Sequence, residues 1–162
     1  MGYRRLFIMR KDLHMSTGKL AAQIAHCAEA YWTRMIEEFL SDDIMHVTNE
    51  AGENISSGYL FCNILPEDIV NNYLRGKFTK TICEARNKAH LLKAKEIAES
   101  LGLKEDKDFG LIYDACYTEL TPEENDGTTL TGIWFKPLPD EDAHKISKKY
   151  QLYREVEKWI EK

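Results

Sequence analysis

"RRLFIMRKDLHMSTGKLAAQIAHCAEAYW", Arg4 to Trp32, joins an apolar run to a long polar-apolar pattern, and the two halves have different periods. Leu6, Phe7, Ile8 and Met9 do not alternate with polar residues, which marks a strand covered on both faces. Ser16 or Thr17 then offers a side-chain oxygen for a helix start, and the pattern from Gly18 to about Leu40 is helical. At roughly 100° per residue, Leu20, Ile24, Cys27 and Tyr31 form a core stripe, while Lys19, Gln23 and His26 form a polar stripe beside it. A central strand feeding such a helix is the opening of an α/β domain. The Gly18-Lys19 pair at the junction is not a nucleotide P-loop. That motif needs a glycine five residues earlier and a hydroxyl after the lysine, and both places hold leucine, Leu13 and Leu20. What remains is an ammonium beside free helix N–H groups, a setting that favours one phosphate or a developing oxyanion.

Reading outward, Ser41 to Ser57 is polar and carries Ala51-Gly52, the sign of a loop or short hairpin. "GYLFCNIL" reads as a strand and "PEDIVNNYLRG" as a short helix between Pro66 and Gly76. Further strands are expected at Lys80 to Ala85, in "FGLIYDA" and in "GTTLTGIWFKPLP". A helix begins after Asn87 and stops at Gly102. The tail from Asp140 onward predicts one charged helix with Ile146, Tyr150, Tyr153, Val156 and Ile160 inward. The sum is a three-layer α/β/α single domain over 1–162 with a mixed, about four-stranded sheet.

The chain has 162 residues and a net charge of −5, which excludes indiscriminate nucleic-acid coating but leaves room for a local basic patch. No apolar run approaches the roughly 20 residues of a membrane span, and Arg10, Lys11 and Asp12 break the N-terminal run too early for a secretion signal. A cytoplasmic protein is expected. Cys27, Cys62, Cys83 and Cys116 lack C-x-x-C spacing, so neither a zinc site nor a disulfide framework is signalled. No metal and no cofactor are expected.

Leu6 to Tyr31 also closely resembles the opening of the peptidyl-tRNA hydrolases of the archaeal and eukaryotic class. The matching residues are Arg10, Asp12, Leu13, Met15, Gly18, Lys19, Ala21, Ala22, Gln23 and His26. The likeness returns in "LIYDACYTELTPEENDGTTLTGIWFKPLP", Leu111 to Pro139, and in "HKISKKYQLY". It implies hydrolysis of the ester joining a peptide to tRNA. Lys19 is then the oxyanion donor or phosphate anchor, Asp114 orients water or the lysine, and Thr118 and Thr129 stand near the ester. Arg10, Lys11, Gly18, Gln23, His26 and Tyr117 are the expected substrate-binding set, with Lys77 and Lys80 as further tRNA contacts. A homodimer is expected.

Four departures stand out. Ser16 and Thr17 replace a second Gly-Lys, Cys116 a glycine, Tyr117 a basic residue and Trp134 another glycine. The segment at about 41–77 is longer than the resemblance explains. A weakened member of the same fold that binds RNA, a nucleotide or a protein therefore stays open as the alternative. Tyr117 has two possible placements, stacked on an unpaired tRNA base or packed beneath the insertion.

Overall fold

The computed structural model describes residues 2–154. Strand β1 (Tyr3–Arg10) is its spine, pairing in parallel with β4 (Thr79–Ala85) and antiparallel with β6 (Thr129–Phe135). Strand β5 (Phe109–Asp114) returns antiparallel on β6. The mixed sheet has six strands in the order β5-β6-β1-β4-β8, with the short β7 (Leu138–Pro139) also on β1 and β8 (Gln151–Leu152) on β4. It has more strands than the expected four because the two short ones carry too little sequence pattern to be seen.

Both faces of β1 are buried, as its unbroken apolar run requires. Leu6 and Ile8 join a core that includes Leu91, Ala94 and Ile146, from α3 (Lys88–Ser100) and α4 (Asp140–Ser147). Phe7 and Met9 point the other way, meeting Cys27 of α1 (Thr17–Phe39) and Trp134. Three layers result. Helix α1 starts where Ser16 Oγ accepts from Lys19 N–H at 3.3 Å. Helix α3 is capped by Asn87 and ends on Gly102 at φ 80°, with Leu103 N–H donating to Ala98 O at 3.0 Å.

The segment at 41–77 is a two-stranded hairpin, β2 (Leu40–Thr48) with β3 (Asn54–Phe61), followed by a short helix α2 (Glu67–Ile69) that widens into a π-type turn over Val70–Lys77. Of the strand expected in "GYLFCNIL", only 58–61 is strand, and it lies in the hairpin and not in the main sheet.

The expected C-terminal helix is corrected more deeply. Helix α4 stops at Ser147, and the chain then turns so that Gln151 and Leu152 pair with Glu84 and Cys83. Tyr150 faces the core as expected, but from a turn. Its hydroxyl donates to His90 O at 2.7 Å and its ring stacks on the His90 imidazole. An open edge of β4 offers backbone partners that a continued helix would leave unpaired. Val156 and Ile160 lie outside the described residues.

Candidate active site

Strands β1, β4 and β5 run in the same direction, so their carboxyl ends share one edge of the sheet, where binding residues gather in α/β folds. Asp114 closes β5 there and Lys19 lies in the first turn of α1, the helix that follows β1. Lys19 Nζ meets Asp114 Oδ2 at 2.6 Å and donates to Thr118 Oγ1 at 3.3 Å. One turn along the same helix stripe, Gln23 Nε2 donates to the same Oδ2 at 2.8 Å. The Cys116 N–H donates to Asp114 Oδ1 at 2.9 Å. Burial opposes the charge on Asp114, yet the hydrogen bonds from Lys19, Cys116 and Gln23 outweigh it and hold the carboxyl below its ordinary range. Asp114 is an anion at neutral pH.

Behind this pair stands a residue that the sequence did not single out. Thr131 Oγ1 donates to Gln23 Oε1 at 2.7 Å and so fixes which end of the amide faces Asp114. The register slips between Ile112 and Tyr113, whose partners are Gly132 and Leu130, so Thr131 is an extra residue on β6. Thr129 takes a different place. It is fully buried, its hydroxyl donating to Thr121 O at 2.7 Å and accepting from Glu123 N–H at 3.0 Å. Thr129 ties down the loop beside the site and presents no hydroxyl to an ester.

The remaining expected residues divide. All five Arg10 N–H groups are engaged by Asp12, Glu123 and the Leu130 carbonyl, and the side chain is buried, so it braces the loop and is not free for RNA. Lys11 lies over the Tyr153 ring at 4.1 Å and within 3.4 Å of Glu84, at the same sheet edge. Gly18 is exposed with open space where a side chain would stand. His26 lies one turn beyond Gln23, in a shallow groove with Glu29, Thr33 and Tyr113, apart from the Lys19 cluster. Tyr117 is 92% exposed and does not pack beneath the hairpin. Lys77 and Lys80 flank the start of β4, at the opposite end of the sheet from Lys19.

Two further features lie toward the same edge of the sheet. Glu119 accepts from Ser16 N–H at 2.8 Å and from Ser16 Oγ–H at 2.7 Å, placing a carboxylate at the start of α1. Arg86 and Lys149 line a cleft with Glu84, His90 and Gln151 beyond the carboxyl end of β4, two cations that no sequence motif marked.

A lysine–carboxylate pair at the carboxyl edge of a mixed sheet, braced from a second layer by glutamine and threonine, defines an α/β domain with an ionic polar site. Residues 3–153 match the family Peptidyl-tRNA hydrolase PTH2, and the chain belongs to that family. It is 26% identical over 152 residues to the peptidyl-tRNA hydrolase of Methanopyrus kandleri, covering 94% of this chain and 99% of that protein. It is 27% identical over 163 residues to that of Pyrobaculum aerophilum, covering 95% and 100%. With the peptidyl-tRNA hydrolase of Thermococcus onnurineus it shares 27% identity over 145 residues, 90% and 92% of the two chains.

Proposed function

We propose that this chain hydrolyses the ester bond of peptidyl-tRNA, releasing peptide and free tRNA, with Lys19 and Asp114 as its central residues. The observation that carries the reading is the 2.6 Å contact between Lys19 Nζ and an Asp114 that is held charged. An ammonium has three N–H groups. Asp114 and Thr118 take two, which leaves one for the oxyanion that forms when water attacks the ester. Asp114 Oδ2 already accepts from Lys19 and Gln23, whereas among the described residues Oδ1 accepts only from Cys116 N–H, which leaves it a lone pair for a water. A carboxylate with a depressed pKa is a weak base, so Asp114 orients the water and the lysine. Glu119 already occupies the Ser16 N–H, which favours oxyanion donation by Lys19 over phosphate anchoring at the helix start.

Thr118 is the hydroxyl nearest the ester in this reading, while Gln23, Thr131 and Thr129 are positioning residues. Lys11, Arg86 and Lys149 form the cationic rim that meets tRNA phosphates. The chemistry runs through side-chain charge, so the reaction is metal-independent, and its setting is the cytoplasm, where tRNA is charged and used. The working form is a homodimer.

Cys116 supports an enzyme over a weakened binding module. It adopts φ 58°, a left-handed conformation suited to the glycine it replaces, and its N–H still donates to Asp114. The substitution keeps the geometry around the carboxylate.

The test is release of an N-acylated amino acid from charged tRNA, with and without a strong chelator. Lys19→Ala is expected to lower the rate about a hundredfold, the usual worth of one oxyanion donor, while cooperative unfolding is retained. An unchanged rate removes Lys19 from the chemistry. Loss of wild-type activity with chelator, restored by added metal, overturns the metal-independent route.

A further inference from the structure

Helix α1 begins with half of a capping box. Ser16 is its N-cap, and Ser16 Oγ accepts from the N–H of Lys19, the third helical residue, at 3.3 Å. In a complete box that third residue is a glutamate or glutamine whose side chain reaches back to the N-cap N–H. Lys19 cannot do this, and its ammonium turns instead to Asp114 Oδ2 at 2.6 Å. The missing acceptor comes from another element. Glu119, in the loop between β5 and β6, accepts from the Ser16 N–H at 2.8 Å and from the Ser16 hydroxyl at 2.7 Å. The serine hydroxyl is thereby oriented, its proton toward Glu119 and a lone pair toward the Lys19 N–H.

The same carboxylate fixes its own neighbour. Thr118 lies in an irregular, exposed stretch between Cys116, which is tied to Asp114, and the buried Leu120. Lys19 Nζ donates to Thr118 Oγ1 at 3.3 Å, beyond the usual hydrogen-bond range and a weak hold on an exposed residue. The two bonds to Glu119 are charge-assisted, a kind roughly twice as strong as neutral ones, and they act one residue from Thr118.

We infer that Glu119 is a positioning residue for ester hydrolysis: by completing the cap of α1 from the loop, it leaves the third helical place to Lys19 and holds Thr118 against the Lys19 ammonium. The inference rests on the hydrolytic roles of Lys19 and Thr118 proposed above. A glutamate at position 19 would close the cap locally, but it would bring no ammonium and no link to the loop. With the acceptor on the loop, the helix start and Thr118 are ordered together. The role needs an acceptor oxygen and not a charge, since capping boxes use glutamate or glutamine.

The test measures kcat and KM for release of an N-acylated amino acid from charged tRNA, with amide hydrogen exchange on the same proteins. A misplacement of about 1 Å can cost on the order of a hundredfold in rate. Because the Asp114 contact keeps part of the Lys19 geometry, Glu119→Ala is expected to lower kcat less than that, about tenfold, with KM unchanged. Glu119→Gln is expected to stay within about threefold of wild type. In a Lys19→Ala background, Glu119→Ala is expected to lower the rate no further, because a residue that acts through Lys19 then has nothing to act on. The Ser16 and Lys19 amides are expected to exchange faster in Glu119→Ala, while its thermal melt stays close to wild type because the lost bonds are exposed. Wild-type kcat in Glu119→Ala overturns the inference, and so does unchanged exchange at Ser16 and Lys19. A Glu119→Gln enzyme as slow as Glu119→Ala overturns it by making the carboxylate itself a reactant, and an equal loss with and without Lys19 overturns it by marking a structural role. All four leave the hydrolytic reading standing, whereas a wild type that releases nothing from charged tRNA overturns that reading and the inference with it.

Discussion

Cys116 holds a conformation that costs an L-residue about 1 to 2 kcal/mol and that glycine adopts freely. Its thiol donates to the Asp114 carbonyl at 3.4 Å. Cys116→Gly is therefore expected to leave hydrolysis intact and to change stability by no more than about 1 kcal/mol in the stabilising direction, because glycine also gains entropy in the unfolded chain. Denaturant melts read the difference. Two carboxylates give a second expectation. Asp114 is held below its ordinary pKa despite burial, and Glu123 is held low first by its hydrogen bond from Arg10. A carboxylate whose folded pKa is depressed contributes stability above its unfolded pKa and loses it as pH falls through the folded value. Stability should thus be flat near neutrality and fall below about pH 4, the ordinary carboxylate range. Asp114→Asn should make that acid fall shallower; an unchanged pH profile would show that this carboxylate is not linked to folding.

Trp134 and Gly110 form a pair that joins two elements. A Cβ built on Gly110 would lie 2.7 Å from Trp134 Nε1, so glycine on β5 makes room for the indole on β6. Trp134 is fully buried with Phe7, Met9 and Cys27, which makes it a core residue and not part of the site. Gly110→Ala is expected to destabilise by about 1 to 3 kcal/mol through overpacking, and Gly110→Ala with Trp134→Phe to recover much of it. Additive destabilisation in the double variant would refute this coupling. The same scale explains what the sequence made legible. Helix α1 was readable because its cap, its core stripe and its polar stripe are all local, and Lys19 and Gln23 meet Asp114 from that polar stripe. Asp114 was readable as the end of an apolar strand. Thr131 was not, because an inserted residue on β6 breaks the two-residue alternation. Strand β8 was hidden for another reason: its pairing with β4 is non-local, and Ile146 and Tyr150 have the spacing of a helix whether or not the helix continues.

At the scale of the whole molecule, tRNA must approach a chain of net charge −5. The acidic hairpin is a poor surface for it, and Lys77 and Lys80 stand at the far end of the sheet. That leaves the carboxyl edge of the sheet, with Lys11, Arg86 and Lys149, and the sequence could not assemble this set because its members come from the residues after β1, after β4 and after α4. Few phosphates are then neutralised, so the salt dependence of binding should be shallow. Tyr117 provides the contrast. Exposed beside Thr118, its ring is free to stack on an unpaired base, a contribution insensitive to salt. Tyr117→Ala is expected to weaken tRNA binding with little change in slope, and Arg86→Ala with Lys149→Ala to make the slope shallower by about 0.7 to 0.9 for each phosphate no longer neutralised. Tyr117→Arg is expected to strengthen binding and steepen the slope by the same increment. Because the ring is exposed, none of the Tyr117 variants should shift the thermal melt. Titration of labelled tRNA at several salt concentrations separates stacking from charge neutralisation. A slope unchanged in every variant would place the RNA on another face, and a slope that changes in Tyr117→Ala would mean that the ring orders a cation and does not bind a base.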